Sequence, residues 1–179
     1  TSRTEDIGAP VTLSVFDVSH GEVTEPTFTA GELEGSQPSG SMFKLFVLLA
    51  VVDAVEQGDL TWDDTLTLTD ATRSLPSGEL QDEPDGTEVS VEEAALGMIS
   101  ISDNTATDLL IQAVGVDAVE TQIAMHAEDG ADATTPMLST RAFFQLGWGD
   151  EELRAEWAAA DDTEREGLRE RVADAPLTT

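Results

Sequence analysis

The sequence predicts an α+β fold, a β-hairpin near the N-terminus followed by a mainly helical part, within a single domain over residues 1–179. Three observations predict it. Val11, Leu13 and Val15 alternate with small polar residues in a β-branched run, the period of a half-buried strand. The run Leu45 to Val52 is apolar over most of a helical circumference. Beyond Glu88, Ser, Asp and Asn caps recur ahead of apolar residues at helical spacing.

Residues 1–10 form a polar lead-in ending at Pro10, and the first strand is expected over Val11 to Val18. Ser19-His20-Gly21-Glu22 has turn chemistry and a weaker strand follows from Val23 to Ala30, so residues 11–30 read as a hairpin of an antiparallel sheet packed on the helical part. Gly31 to Gly40 is the loop that delivers the chain to Ser41, and the helical part spans 41–175. Its first helix is expected from Met42 to about Gln57, closed by Gly58 in the left-handed conformation. Apolar on nearly all sides, it is the expected centre of the helical layer. Leu60 to Leu68 reads as an extended connector. Arg73 to Val89, with Pro76, Gly78, Pro84 and Gly86, is a loop of a length usually tied to function.

The acids of that loop, Glu79, Asp82, Glu83 and Asp85, do not match the spacing of an EF-hand, and a solvated loop is expected rather than a calcium site. Ser90 and Glu93 form a capping box that opens a helix through Met98 and Ile99. The helix breaks at Ser102-Asp103-Asn104 and resumes from Thr105 to Val114, ended by Gly115. Asp117 to His126 is a further helix and Ala127 to Pro136 a polar loop. Ser139 or Thr140 caps a helix carrying Phe143, Phe144 and Leu146. Two charged segments between Asp150 and Ala173 come next, anchored by Leu153, Trp157, Leu168 and Val172 and ended by Pro176.

Composition narrows the function classes. With 37 acidic against 8 basic residues the formal charge is −29, which repels phosphate backbones and anionic membrane surfaces. Nucleic-acid partners are therefore not expected, and no segment reaches the roughly 18 to 20 uninterrupted apolar residues of a membrane helix. There is no Cys, so thiolate nucleophiles, disulfides and thiolate metal sites are excluded. His20 and His126 lie in turn-like surroundings and support neither a His-based triad nor a zinc site. No cofactor or metal is called for.

The chemistry-bearing residues begin with Ser41 and Lys44, a hydroxyl and an amine three residues apart at the mouth of the first long helix. A lysine among apolar neighbours loses the solvation that favours its charged form, so it can accept a proton from a hydroxyl. Unpaired N–H groups and the dipole of the helix N-terminus favour a developing oxyanion. The bland alternative is a helix cap with a snorkelling lysine. Against it, Lys44 is the only lysine in the 179 residues and sits where solubility does not require one. Ser102-Asp103-Asn104 likewise reads either as an N-cap or as a short turn that holds Ser102 and Asn104 toward a cleft.

Taken together, Ser41-Met42-Phe43-Lys44 and Ser102-Asp103-Asn104 resemble the first two of three signatures of the active-site serine penicillin-recognising enzymes. The surroundings, Gly97-x-x-x-x-Ser102-Asp103-Asn104-Thr105-Ala106-x-Asp108-Leu109-Leu110 and Thr134-Thr135-Pro136, are similar to class A β-lactamases. Ser74-Leu75-Pro76-Ser77-Gly78-Glu79-Leu80-Gln81 and Leu138-Ser139-Thr140-Arg141-x-Phe143 resemble more closely the β-lactamase-like serine hydrolases of the clavam-biosynthesis type. The resemblance spans roughly residues 11 to 148. It implies Ser41 as the acylated nucleophile, Lys44 as its proton acceptor, Ser102 as a proton relay to the leaving group and Asn104 as the holder of a substrate amide. It further implies that Asp103 orients the turn and that the Ser41 N–H forms half of an oxyanion hole.

The sequence departs from the family pattern at two places. No Glu-x-x-Leu-Asn loop lies between Thr105 and Ala133, where the glutamates are Glu120 and Glu128, so hydrolysis of an acyl-enzyme is expected to be slow. The third signature, a Lys-Thr-Gly or relative, is absent, and the chain reads as the N-terminal strands and helical layer of a larger domain without its C-terminal strands. The expected function is a serine hydrolase acting on β-lactam, amide or ester substrates through a Ser41 acyl-enzyme. A non-catalytic ligand-binding module that keeps the pocket, and an unrelated acidic helical protein whose two motifs are only caps, are the alternatives. A monomer is expected, with a further C-terminal segment as a requirement of a complete site, in a secreted or cell-envelope setting.

The charge also predicts adaptation to high salt, because molar salt shortens the Debye length to about 3 Å and screens self-repulsion. The melting temperature should rise steeply between dilute buffer and molar KCl. A thermal unfolding series that shows no change contradicts the adaptation.

Overall fold

The computed structural model describes residues 11–19, 21, 25–31, 39–127, 131, 135–149 and 151–173. Helices and strands mix as the sequence predicts, and the chain divides into two units, Thr1–Pro38 and Ser39–Thr179. In the first unit, strands β1 (Leu13–Val15) and β2 (Phe28–Ala30) pair antiparallel, with Ser14 opposite Thr29. The β-branched run forms a shorter strand than its pattern suggests: beyond Val15 the backbone leaves the ladder, with Ser19 N–H donating to the Asp17 side chain at 2.9 Å. Leu13 and Val15 are exposed, so alternation here does not mark a buried face within the unit. The turn and the start of the expected second strand, His20 and 22–24, lie outside the described residues.

The second unit opens with a 3-10 turn, Gly40–Phe43, that runs directly into helix α1 (Lys44–Gln57). The expected single helix from Met42 is thus a tighter turn followed by an α-helix. Gly58 closes α1 with φ of 82°, the left-handed cap predicted for it. Strands β3 (Thr65–Thr67) and β4 (Glu88–Ser90) pair antiparallel, Leu66 opposite Val89, so the expected connector and the tail of the long loop form one ladder. Leu68 N–H to Thr87 O and Gly86 N–H to Leu68 O, both 2.8 Å, extend the closure. The 73–87 segment is a loop pinned at its base.

Helix α2 (Val91–Ser100) starts at the predicted capping box, with Ser90 Oγ accepting Glu93 N–H and the Glu93 carboxylate accepting Ser90 N–H. Helices α3 (Asn104–Val114), α4 (Val116–His126), α5 (Thr140–Trp148), α6 (Glu151–Ala159) and α7 (Asp162–Ala173) complete the order. After Ser90 every regular element among the described residues is helical. The 127–136 loop lies largely outside them, as does the segment after Ala173 that contains Pro176.

The core corrects one expectation. Helix α1 is not buried on nearly all sides: Leu45 and Leu49 are exposed, while Val47, Ala50 and Val51 face inward. The central helix is α3, buried continuously from Asn104 to Ile111 and packed against α1, α2, α4, α5 and β3. Its sequence hides this because half of that stretch is polar, and those groups are satisfied internally rather than by water. Around α3, whose Leu110 is fully buried, lie Val47, Val51, Ala94, Met98, Val119 and Ile123. A separate cluster of Ala142, Leu146, Leu168 and Val172, with Leu153 and Trp157 against it, binds α5 to the charged C-terminal helices through the predicted anchors.

Because Leu110 is fully buried in the larger cluster, Leu110→Ala should lower unfolding stability by about 2 to 5 kcal/mol in denaturant titrations. A loss below about 1 kcal/mol contradicts the placement of α3 at the centre.

Candidate active site

In a 3-10 turn residues i and i+3 eclipse one another, so Ser41 and Lys44 stack on one side of the chain. Ser41 is exposed and Lys44 is 2% exposed, which leaves the hydroxyl accessible and the amine dry. Between them lies Ser102. Its hydroxyl donates to Ser41 Oγ at 2.9 Å and accepts from Lys44 Nζ at 2.9 Å. Among the described residues, no hydrogen bond joins Ser41 and Lys44 directly. The other two Nζ hydrogens go to Ser102 O at 2.7 Å and Asn104 Oδ1 at 2.8 Å.

All four residues singled out in the sequence therefore meet. Lys44 does not snorkel, and an unrelated protein with two accidental caps is excluded by this convergence. The cap reading of the second motif is nonetheless also correct, since the Asp103 carboxylate accepts the Ala106 N–H at 2.9 Å and opens α3. Asn104 is buried, with Oδ1 on Lys44 and Nδ2 donating to Leu75 O at 3.0 Å. Burial pushes the Lys44 amine below the ordinary lysine range, while the negative charges of Asp103 and Asp108 pull it back up.

Ser102 has φ of 60°, rare for a residue with a side chain, and the 74–80 segment holds it there. Ser77 O accepts the Asn104 N–H at 2.8 Å, and Ser77 Oγ donates to Ser102 O at 2.7 Å. Asp103 Oδ2 accepts the N–H groups of Glu79 (2.7 Å) and Leu80 (3.0 Å). Gly78 makes this approach sterically feasible: a Cβ there would lie 2.1 Å from Asp103 Cγ, and its φ is 120°.

Behind the site is a network whose roles the sequence did not reveal. Asp108 accepts the N–H groups of Thr140 (2.7 Å) and Arg141 (2.9 Å) and the Thr140 hydroxyl (2.9 Å). Burial pushes its carboxyl up to about 6, against the lowering effect of those bonds and of Lys44. The hydroxyls of Thr140 and Ser74 are 2.7 Å apart, and Thr105 Oγ1 exchanges 3.0 Å bonds with the Ser74 backbone. The buried Arg141 guanidinium donates to Asp70 O and Arg73 O. These residues stood in the stretches that carried the family resemblance, but a lone buried Asp or Thr gives no local signal of its partner. No cluster of three metal-ligating side chains occurs among the described residues, and no described helix is long and apolar enough to cross a membrane.

Comparison with known proteins fits this geometry. The profile of the β-lactamase enzyme family matches residues 11–143. The chain belongs to the β-lactamase enzyme family. Among solved structures it is similar to the β-lactamase from Sphaerobacter thermophilus DSM 20745, with 37% identity over 55% of this chain and 38% of that one and a TM-score of 0.51. A mutant of PBP-A, solved as an acyl-enzyme with penicillin G, shares 26% identity over 68% of this chain and 46% of that one (TM-score 0.53). A variant of the last common ancestor of Gram-negative bacteria class A β-lactamase shares the fold at 20% identity, over 92% of this chain and 65% of that one (TM-score 0.54). The chain thus spans 38% to 65% of the length of these β-lactamase-family structures. No curated protein sequence matches it.

Gly78→Ala places a side chain where the Asp103 carboxylate now sits and should cost more than about 1 kcal/mol of unfolding stability. A denaturation midpoint equal to wild type contradicts the close packing of the 74–80 segment on the turn.

Proposed function

We propose that this β-lactamase-family chain is a serine hydrolase that reacts with β-lactams, amides or esters through a Ser41 acyl-enzyme. The observation that carries the reading is the hydrogen-bonded series Ser41 Oγ, Ser102 Oγ, Lys44 Nζ, with the nucleophile exposed and the base buried. A neutral Lys44 keeps two N–H groups and one lone pair. Ser102 O and Asn104 Oδ1 can only accept, so they take the two N–H groups and the lone pair is left facing Ser102 Oγ. Proton transfer then runs in two linked hops: Ser41 gives its proton to Ser102 Oγ as Ser102 gives its own to Lys44. This differs from direct transfer between Ser41 and Lys44, the simplest reading of their spacing.

Ser41 Oγ bonds to the substrate carbonyl carbon and the charge moves to the carbonyl oxygen. One donor to that oxyanion is the Ser41 N–H, in the first turn of the 3-10 helix, where N–H groups have no intrahelical partner. As the oxyanion collapses, the C–N or C–O bond breaks and the leaving atom receives the proton back from Lys44 through Ser102. Asn104 Nδ2 has a second hydrogen besides the one given to Leu75, and this is the donor for a substrate amide oxygen. Water then cleaves the ester. Slow cleavage is supported by the sequence between Thr105 and Ala133, which carries no Glu-x-x-Leu-Asn loop.

Acylation should be followed by intact-protein mass spectrometry in high salt with a reactive penicillin and, separately, a fluorophosphonate. A one-to-one adduct that persists and disappears in Ser41→Ala is the expected result. Lys44→Ala should slow its formation by about 10² to 10⁴, and the wild-type rate should rise with pH through a midpoint below the ordinary lysine value of about 10.4. Absence of any adduct together with reversible penicillin binding supports instead a non-catalytic binding module.

A further inference from the structure

Ser77 is the one side chain of the 74–80 segment that shares an acceptor with the base. Ser102 O receives Lys44 Nζ at 2.7 Å and Ser77 Oγ at 2.7 Å, and a carbonyl oxygen has two lone pairs with which to accept both. Both draw on the same negative oxygen, so each weakens the other. An ammonium depends on this acceptor more than a neutral amine does, because hydrogen bonding to a charged form selectively stabilises that form.

We propose that Ser77 is a positioning residue of the site, whose hydroxyl occupies the Ser102 carbonyl and thereby keeps Lys44 available as a neutral base. The remaining groups facing Lys44 act on it as a fixed background: the carboxylates of Asp103 and Asp108 favour the ammonium, and its burial opposes them. Ser102 Oγ and Asn104 Oδ1 complete its surroundings, and the bond from Asn104 N–H to the Ser77 backbone carbonyl, which Ser77→Ala keeps, still ties the turn to the 74–80 segment. Removing the Ser77 hydroxyl leaves no orphaned acceptor, since Ser102 O retains Lys44, so Ser77→Ala should fold. Ser77→Thr retains the donor.

The catalytic role of Lys44 rests on the function proposed above, but the titration of Lys44 does not, and the single lysine of the chain makes it directly observable. Protein labelled with 13C at the lysine ε-carbon gives one side-chain lysine resonance, whose pH titration is read at constant ionic strength in wild type, Ser77→Ala and Ser77→Thr. The midpoint should move to higher pH in Ser77→Ala and return toward wild type in Ser77→Thr. In parallel, penicillin acylation of Ser77→Ala should be about threefold slower below the midpoint and equal to wild type at high pH, where both lysines are neutral. A merely structural role lowers the rate at every pH. A Lys44 midpoint that is unchanged or lower in Ser77→Ala overturns the inference. A shifted midpoint in a protein that no penicillin acylates supports the role of Ser77 toward Lys44 and overturns the hydrolase reading instead.

Discussion

Everything at the site depends on one buried amine. Lys44 is almost fully shielded from water, and its three hydrogens are taken by the Ser102 carbonyl, the Ser102 hydroxyl and the Asn104 carboxamide. A buried ammonium without partners is costly enough that a chain normally avoids it. Meeting that cost fixes the 102–104 turn against α1, and the turn in turn fixes the start of α3. The arrangement that makes Lys44 tolerable in the interior is the same one that aligns it with Ser41.

Polar order extends beyond Lys44. The first eight residues of α3 are buried although Asn104, Thr105, Thr107 and Asp108 are polar, because each has a partner inside the fold. Thr107 returns its hydroxyl to Asp103 O at 2.6 Å, and Asp108 anchors the start of α5 through two backbone N–H groups. The 74–80 loop is bound to the same turn from the other side. Loop, turn and helix terminus thus form one hydrogen-bonded unit, and the exposed Ser41 is presented at its edge.

Much of this was legible in the sequence. Ser41, Lys44, Ser102 and Asn104 announced themselves by residue type and spacing in two motifs, and caps at Gly58, Ser90 and Ser139 marked helix boundaries because capping is a local interaction. Long-range pairing was not legible. The β3–β4 ladder joins Thr65–Thr67 to Glu88–Ser90, distant in the chain and with three residues on each side, too short for periodicity to register. The centre of the core was misjudged for a related reason: apolar content pointed to α1, whereas α3 is buried by hydrogen bonds that composition cannot display. The placement of Ser102 between Ser41 and Lys44 likewise emerges only in three dimensions, since Ser41 and Lys44 are neighbours in sequence and Ser102 is not.

The most direct test of the Ser41–Ser102–Lys44 alignment is a crystal structure of the protein at high salt after soaking in a reactive penicillin. Continuous density from Ser41 Oγ to the opened β-lactam carbonyl, with Ser102 Oγ within hydrogen-bonding reach of both the freed ring nitrogen and Lys44 Nζ, is the expected result. Density that joins the ligand to another side chain, or a Lys44 amine turned out to solvent with Ser102 no longer between it and Ser41, contradicts it.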